Sequence, residues 1–506
     1  MFYVSKKKIL TNFISQIYVA VIGIVMFPFY VKYMGVEAYG LVGFFVMLQA
    51  WFQLLDMGLT PTMARETACF QGNGSSALGL RHLLRSLEGV FLCVALLGAV
   101  FLISGADRIA EHWLKLDQLP RDEAANAIKL MALVMVLRWM GELYRGVITG
   151  FERMVWLGGF NASIATVRFV LVIPFFIWVG SSVGEFFFFQ LCVALMEAML
   201  LTHKAYALLP VIPAGSTRWS WRPLRRVMGF SLVMASATVV WVSVSQTDKL
   251  LLSGLLSLAD YGWFTLAVMA AGGVLMLANP IVAVLMPRLT VLHAQGDETR
   301  LLSLYRQATQ WVGLLAWPAC GILAWQAERV LWIWTGDAQL AVQAAPTLCL
   351  YALGNGAMAL GAFPYYLQFA KGQLRLHLLG TVLFVLVLLP CLVWATGRFG
   401  AVGAGWTWLT VNIVYFALWV PVAHARFAPG LHAQWLLNDV VPIAAMAFAA
   451  ALASRWLPWP EERFLAGLQL LVVSGGALMA STIGSSWIRA EMTRYWWRTC
   501  IERQRR

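Results

Sequence analysis

LHLLGTVLFVLVLLPCLVWATG, residues 376–397, runs without a formal charge between Arg375 and Arg398. Such a stretch, at a rise of ~1.5 Å per residue, makes a helix about 33 Å long, close to the ~30 Å hydrocarbon core of a bilayer. No surface helix of a water-soluble domain is apolar on every side. Working outward, the next run, 400–423, has the same character after only two intervening residues, Arg398-Phe399. The remainder of the chain repeats the pattern. Over 506 residues, 60% are hydrophobic, 12% are charged and the mean hydropathy is +0.73. Soluble domains carry about 25% charged residues. The composition therefore calls for an all-α polytopic membrane protein with no soluble domain of its own.

The periodicity and its Gly, Pro and charge breaks predict about fourteen spans. They are 9–31, 39–60, 83–104, 126–149, 156–179, 184–208, 227–250, 261–287, 306–326, 342–369, 374–396, 400–423, 438–456 and 464–484. The N-terminal run after Lys6-Lys7-Lys8 is too long for a signal peptide and is read as a retained first span. With an even number of spans and both ends in the cytoplasm, 24 Lys and Arg fall inside and nine outside. That asymmetry is the positive-inside pattern. The net charge of +13 thus reports orientation, and a nucleic-acid partner is not expected.

One constant offset along the chain relates Tyr39-Gly40 to Tyr261-Gly262, and Tyr144, Gly150 and Arg153 to Tyr366, Gly372 and Arg375. All fall at equivalent span edges, which suggests a duplicated six-helix unit. The expected organisation is two six-helix bundles, 1–210 and 211–426, two additional spans in 427–484, and a basic tail, 485–506. That tail interleaves Arg489, Arg494 and Arg498 with Trp487, Trp496 and Trp497. It reads as an interfacial helix attracted by anionic lipids, or else as a frayed basic end.

Charges inside spans are costly and mark function or helix pairing. Arg138, Glu142 and Arg145 recur at spacings of four and three, on one face of the fourth span. Arg168 lies on the fifth, Asp56 on the second and Glu197 on the sixth. Two readings stand: structural ion pairs, or a net cationic cavity for an anionic headgroup, where arginine's planar fork suits phosphate. Asp248-Lys249 ends the seventh span as a neutral interfacial pair or an ion-sensitive latch. Gly146 and Gly150 have the GxxxG spacing of close helix packing. Prolines within spans, such as Pro174, Pro364 and Pro390, permit bending.

No GxxxxGK[ST] phosphate loop, HExxH or GxSxG occurs, and the seven cysteines form no CxxC pair. No metal site or cofactor is expected. A membrane glycosyltransferase or polymerase using Asp117, Asp122 and Glu123 is the enzymatic rival, but its external loops are short for holding donor and acceptor.

Several motifs carry a family resemblance. Tyr39-Gly40 through Leu55-Asp56-Met57-Gly58-Leu59 to Arg65, and Gly150-Phe151-Glu152-Arg153, resemble Wzx-type polysaccharide flippases of the multidrug/oligosaccharidyl-lipid/polysaccharide exporter superfamily. Asp248-Lys249-Leu250-Leu251 with Asp260-Tyr261-Gly262 matches most closely. Ala370-Lys371-Gly372 and Phe399-Gly400-Ala401-Val402-Gly403-Ala404 extend the likeness into the second half. The resemblance implies a non-enzymatic flippase working by alternating access in the bacterial cytoplasmic membrane. Its cargo would be undecaprenyl-diphosphate-linked oligosaccharide for surface polysaccharide such as O-antigen of lipopolysaccharide, with coupling to a proton or sodium gradient and contacts to other assembly proteins. Arg138, Glu142, Arg145, Arg168, Asp56 and Arg65 become the expected substrate-binding set, and Asp248, Lys249 and Glu197 the coupling or gating set. Lipid II flippases and multidrug exporters of the superfamily share the architecture and are the nearest alternatives.

Overall fold

The computed structural model describes residues 6–71, 76–210, 225, 239 and 242–489. Helices are the regular structure throughout these residues, and one isolated bridge, Lys115 to Ser257, is the sole β-type pairing among them. The chain divides into two compact units, Met1–Gly262 and Trp263–Arg506.

The first unit contains α1 (Lys6–Met34), α2 (Val36–Phe52), α3 (Leu59–Gln71), α4 (Ala77–Arg108), α5 (Arg121–Gly150), α6 (Met154–Phe169), α7 (Val172–Trp178), α8 (Val183–Leu208) and α9 (242–255). The second follows from α10 (Leu258–Ala294), whose first turn still belongs to the first. It holds α11 (Glu298–Trp325), α12 (Ala327–Thr335), α13 (Ala338–Gly361), α14 (Phe363–Ala370), α15 (Arg375–Val414), α16 (Val420–Phe427), α17 (Leu431–Gln434), α18 (Val441–Ala453) and α19 (Arg463–Gly484).

Among the described residues nine helices are long and apolar enough to cross a membrane. Phe101, Trp178, Leu471, Val472 and Met479 are each at least 70% exposed. A water-soluble surface could not carry such a density of apolar side chains; lipid can. The expected count of fourteen is not reproduced, for identifiable reasons. Most of the seventh span, 227–250, lies outside the described residues, as does the tail beyond Arg489. Spans one, nine and ten are helical as α1, α11 and α13 but are not among the nine apolar helices. Spans eleven and twelve are the two helical runs of α15 on either side of a kink at Gly400, which adopts φ 56°, ψ −137°, and are counted as one among the nine. The chain reverses there: a Cβ on Gly403 would overlap the Ala395 carbonyl oxygen. Glycine at 400 permits the left-handed φ, and glycine at 403 permits the approach.

Local chemistry moves other boundaries. Span two ends early because Met57 (φ 47°) and Gly58 (φ 69°) turn the chain, and the supposed cytoplasmic loop after it is largely helical, as α3 and the first turns of α4. Span five splits at 170–171, four residues before Pro174, which has no N–H to return to Val170. Span ten splits at Ala362 ahead of Pro364 for a related reason. The loop expected after span nine contains α12. Span six begins where expected, held by a reciprocal cap in which Ser182 and Glu185 exchange backbone hydrogen bonds, an arrangement that satisfies two otherwise orphaned N–H groups.

In a bilayer, apolar burial does not by itself drive helices together, so close packing of small residues does much of the work. Gly146 and Gly150 place α5 directly on α3: a Cβ on Gly150 would overlap the Thr67 side chain, and one on Gly146 the Thr60 carbonyl. Gly40 and Gly262, the repeat-related glycines, meet each other, with Gly40 against the Leu258 carbonyl and Gly262 against that of Val36. The core of the first unit lies between α4, α5 and α8, around Leu84, Phe91, Leu143 and Leu201, with Phe91 stacked on Trp139 at 4.4 Å. That of the second surrounds Tyr305, Phe363 and Trp435.

Candidate functional site

Helices α5, α6 and α8 present their polar side chains to one another in the first unit. Glu197 on α8 is buried and divides its carboxylate between two cations: Oε1 accepts from Arg145 on α5, and Oε2 from Arg168 on α6 at 2.6 Å. Arg145 also donates to the Asn161 amide oxygen on α6 and lies 3.3 Å from Glu142. Arg138, two turns toward the start of α5, donates to Gln190 Oε1 at 2.7 Å and rests over the Phe45 ring. Gln190 in turn donates to the Arg168 carbonyl at 3.4 Å.

Three guanidinium groups meet two carboxylates, so the cluster carries one net positive charge. Arg138 has a neutral amide where an acid could have stood. The Nε atoms of Arg138 and Arg168 are buried with no hydrogen-bond partner among the described residues. Buried charged donors are normally satisfied, and an arginine Nε–H beside an Nη–H forms the fork that takes two oxygens of a phosphate or carboxylate. Glu142, about half exposed, marks the open side of the cluster. Chemically the arrangement can hold an anion; it contains no nucleophile paired with a base.

The fold thus brings together Arg138, Glu142, Arg145, Arg168 and Glu197. The other expected residues have separate engagements. Asp56 accepts from the backbone N–H and the hydroxyl of Thr60, the latter at 2.6 Å, and so caps the start of α3. Arg65 is half exposed and lies 3.6 Å from Glu66. Asp248 is buried at α9, accepting from the Lys249 backbone N–H at 2.8 Å, while the Lys249 ammonium donates to the Ser245 carbonyl.

Asn161 and Gln190 are the members that charge counting misses; the available signal was an amide set inside the runs GGFNAS and FFFFQLC. Glu88 was also missed: it accepts from the hydroxyls of Tyr144 at 3.0 Å and Tyr206 at 2.8 Å, tying α4, α5 and α8. Among the described residues no group of three or more His, Cys, Asp or Glu is placed to hold a metal ion.

No curated protein matches the chain, but solved structures do. A lipid II flippase, MurJ, in an inward closed conformation covers 95% of this chain and 98% of its own, with TM-score 0.69 at 12% identity. An inward-facing multidrug resistance transporter of the MATE family covers 81% and 94%, with TM-score 0.68 at 12% identity. The Vibrio cholerae MATE transporter VcmN covers 85% and 98%, with TM-score 0.53 at 14% identity. At these identities the likeness establishes the fold. The family profile described as polysaccharide biosynthesis protein matches residues 5–293, more than half of the sequence. The chain, a multi-pass helical membrane protein by its long apolar helices, therefore belongs to the polysaccharide biosynthesis protein family.

Proposed function

We propose that the protein flips undecaprenyl-diphosphate-linked oligosaccharide across the bacterial cytoplasmic membrane for surface polysaccharide assembly. The observation that carries this reading is the net cationic cluster on α5, α6 and α8, with its two unpartnered guanidinium Nε–H groups among the described residues, inside a chain of a polysaccharide family. A diphosphate would take the Arg138 and Arg168 forks in place of water while the polyprenyl tail stays in lipid. Glu197 then acts as the internal counter-ion that holds Arg145 and Arg168 in position and releases them as the anion arrives. Translocation proceeds by alternating access, each state favoured by its differential affinity for the headgroup. Both termini face the cytoplasm, a reading supported by the 24-to-9 distribution of Lys and Arg under the positive-inside rule. A proton or sodium gradient supplies the work, with Glu197 and the Asp248–Lys249 pair as the coupling groups. Anionic lipids and other assembly proteins are the partners.

The test is deletion in the native host, followed by quantification of lipid-linked repeat units. Complete units should accumulate on the cytoplasmic leaflet, and complementation with Arg138→Ala or Arg145→Ala should leave them there at normal protein abundance. Wild-type export by both variants would sink the cationic-cluster claim. Units already flipped but unpolymerised would point to a polymerase, and drug sensitivity alone to an exporter.

A further inference from the structure

The end of α11, the short helix α12 and the residues after α18 enclose a cleft of about 500 Å³ in the second unit. It falls within the range of roughly 300–1,000 Å³ typical of small-molecule sites. Its lining includes Trp325 and Trp332, Arg329 and Arg455, Glu328 and Gln326. Two tryptophans at a membrane boundary are ordinary on their own. A concave site that adds two arginines, one carboxylate and a buried amide is not.

Each group has a definite state. Gln326 is buried, its amide fixed by donation to the Ser454 hydroxyl at 2.8 Å. The Arg329 guanidinium sits 4.7 Å over the Trp459 ring, a cation–π contact that holds it without neutralising it. Glu328 and Arg455 are exposed, and neither has an ion-pair partner among the described residues. With two arginines against one carboxylate, the lining carries a net positive charge. Indole faces suit the apolar C–H face of a pyranose ring, short polar side chains suit its hydroxyls, and an arginine fork suits a carboxylate.

From these observations, we infer that the cleft binds an acidic sugar. The inference rests on the transport reading above and places a second glycan contact on the protein. Trp325 is the last residue of α11, and Arg306 lies in its first half. The helix between them is long enough to cross most of the hydrocarbon layer. Arg306, about 28 Å from Trp325 along the helix, pairs with the buried Asp439. In the proposed orientation the cleft therefore opens at the outer leaflet, where a translocated glycan emerges.

The test uses full-length protein in phosphatidylcholine nanodiscs and saturation-transfer NMR with two probes, cellobiuronic acid and neutral cellobiose. The acidic disaccharide should bind and the neutral one weakly. Arg455→Gln should weaken the acidic probe about tenfold, the scale of one charge-assisted hydrogen bond. Trp332→Ala should remove the signal, and Trp332→Phe should restore most of it. Equal binding of both sugars, or indifference to Arg455→Gln and Trp332→Ala, overturns the assignment. So does loss of the sugar signal when phosphatidylglycerol is added, which would make a lipid headgroup the occupant. The two readings fail separately. Blocked export in Arg138→Ala cells with unaltered sugar binding in Arg455→Gln protein sinks only the cleft. Normal export in both Arg138→Ala and Arg145→Ala cells with sugar binding weakened in Arg455→Gln protein sinks only the arginine cluster.

Discussion

Glu197→Gln would leave Arg145 and Arg168 facing each other without their shared counter-ion. Removing one partner of a buried ion pair costs about 3–5 kcal/mol, because the remaining charge stays desolvated. Both arginine side chains retain about a fifth of their exposure, so the loss belongs at the lower end of that range. It should appear as reduced thermal stability of the purified protein, and an unchanged unfolding temperature would show that Glu197 is not their counter-ion. The face shared by Arg138, Glu142 and Arg145 follows directly from their spacing. That Glu197 and Arg168 complete it does not, because these residues come from different helices that only the fold brings together. Asp56 carries an engagement that its sequence position does not announce. An acid in an apolar stretch suggests a binding site, yet it caps a helix whose start could be located only once the turn at Met57–Gly58 was seen.

At the level of elements, glycine positions decide how helices approach. Gly150→Leu should prevent α5 from seating on α3, since even a Cβ there falls 2.5 Å from the Ala64 carbonyl oxygen. Overpacking of this kind costs about 1–3 kcal/mol or more. The expected readout is loss of folded protein in membranes, with Gly159→Leu, which meets open space, as the tolerant control. A second prediction concerns pH. At the start of α11, burial pushes the Glu298 carboxyl up, but the Lys371 ammonium at 3.0 Å and His293 beside it hold it below the usual carboxylate range. A depressed folded-state value means that the link between α11 and the residue after α14 is intact above about pH 4.3, the ordinary glutamate value, and weakens as acid protonates the folded carboxylate. The protection factors of backbone amides in the first turn of α11, observed exchange corrected for its intrinsic pH dependence, should therefore fall on acidification. Glu298→Gln should make that protection low and independent of pH; a pH-dependent protection factor surviving in this variant would assign the effect to another group.

For the whole molecule, the exposed apolar surface is the distinguishing property. Cys93, Cys192 and Cys391 are exposed in the structure yet lie within apolar spans. In intact membranes they should resist a charged maleimide, read by mass spectrometry of each cysteine peptide, and react once the protein is unfolded in detergent and urea. Labelling of all three in sealed vesicles would contradict a lipid-facing assignment. Residues 376–397 and their counterparts were legible as spans because a bilayer demands a long uncharged helix wherever it is crossed. The paired GxxxG glycines were legible for a similarly local reason, since they depend on spacing along one helix. Composition and pattern by themselves thus determined that this is a helical, multi-pass membrane protein. Tertiary structure alone decided that Arg138 pairs with Gln190, that Glu197 bridges two arginines, that Gly400 folds one apolar run back on another, and that α12 closes a cleft with Arg455. Those facts join residues distant in sequence, and a side chain's spacing along its own helix carries no information about which other helix will face it.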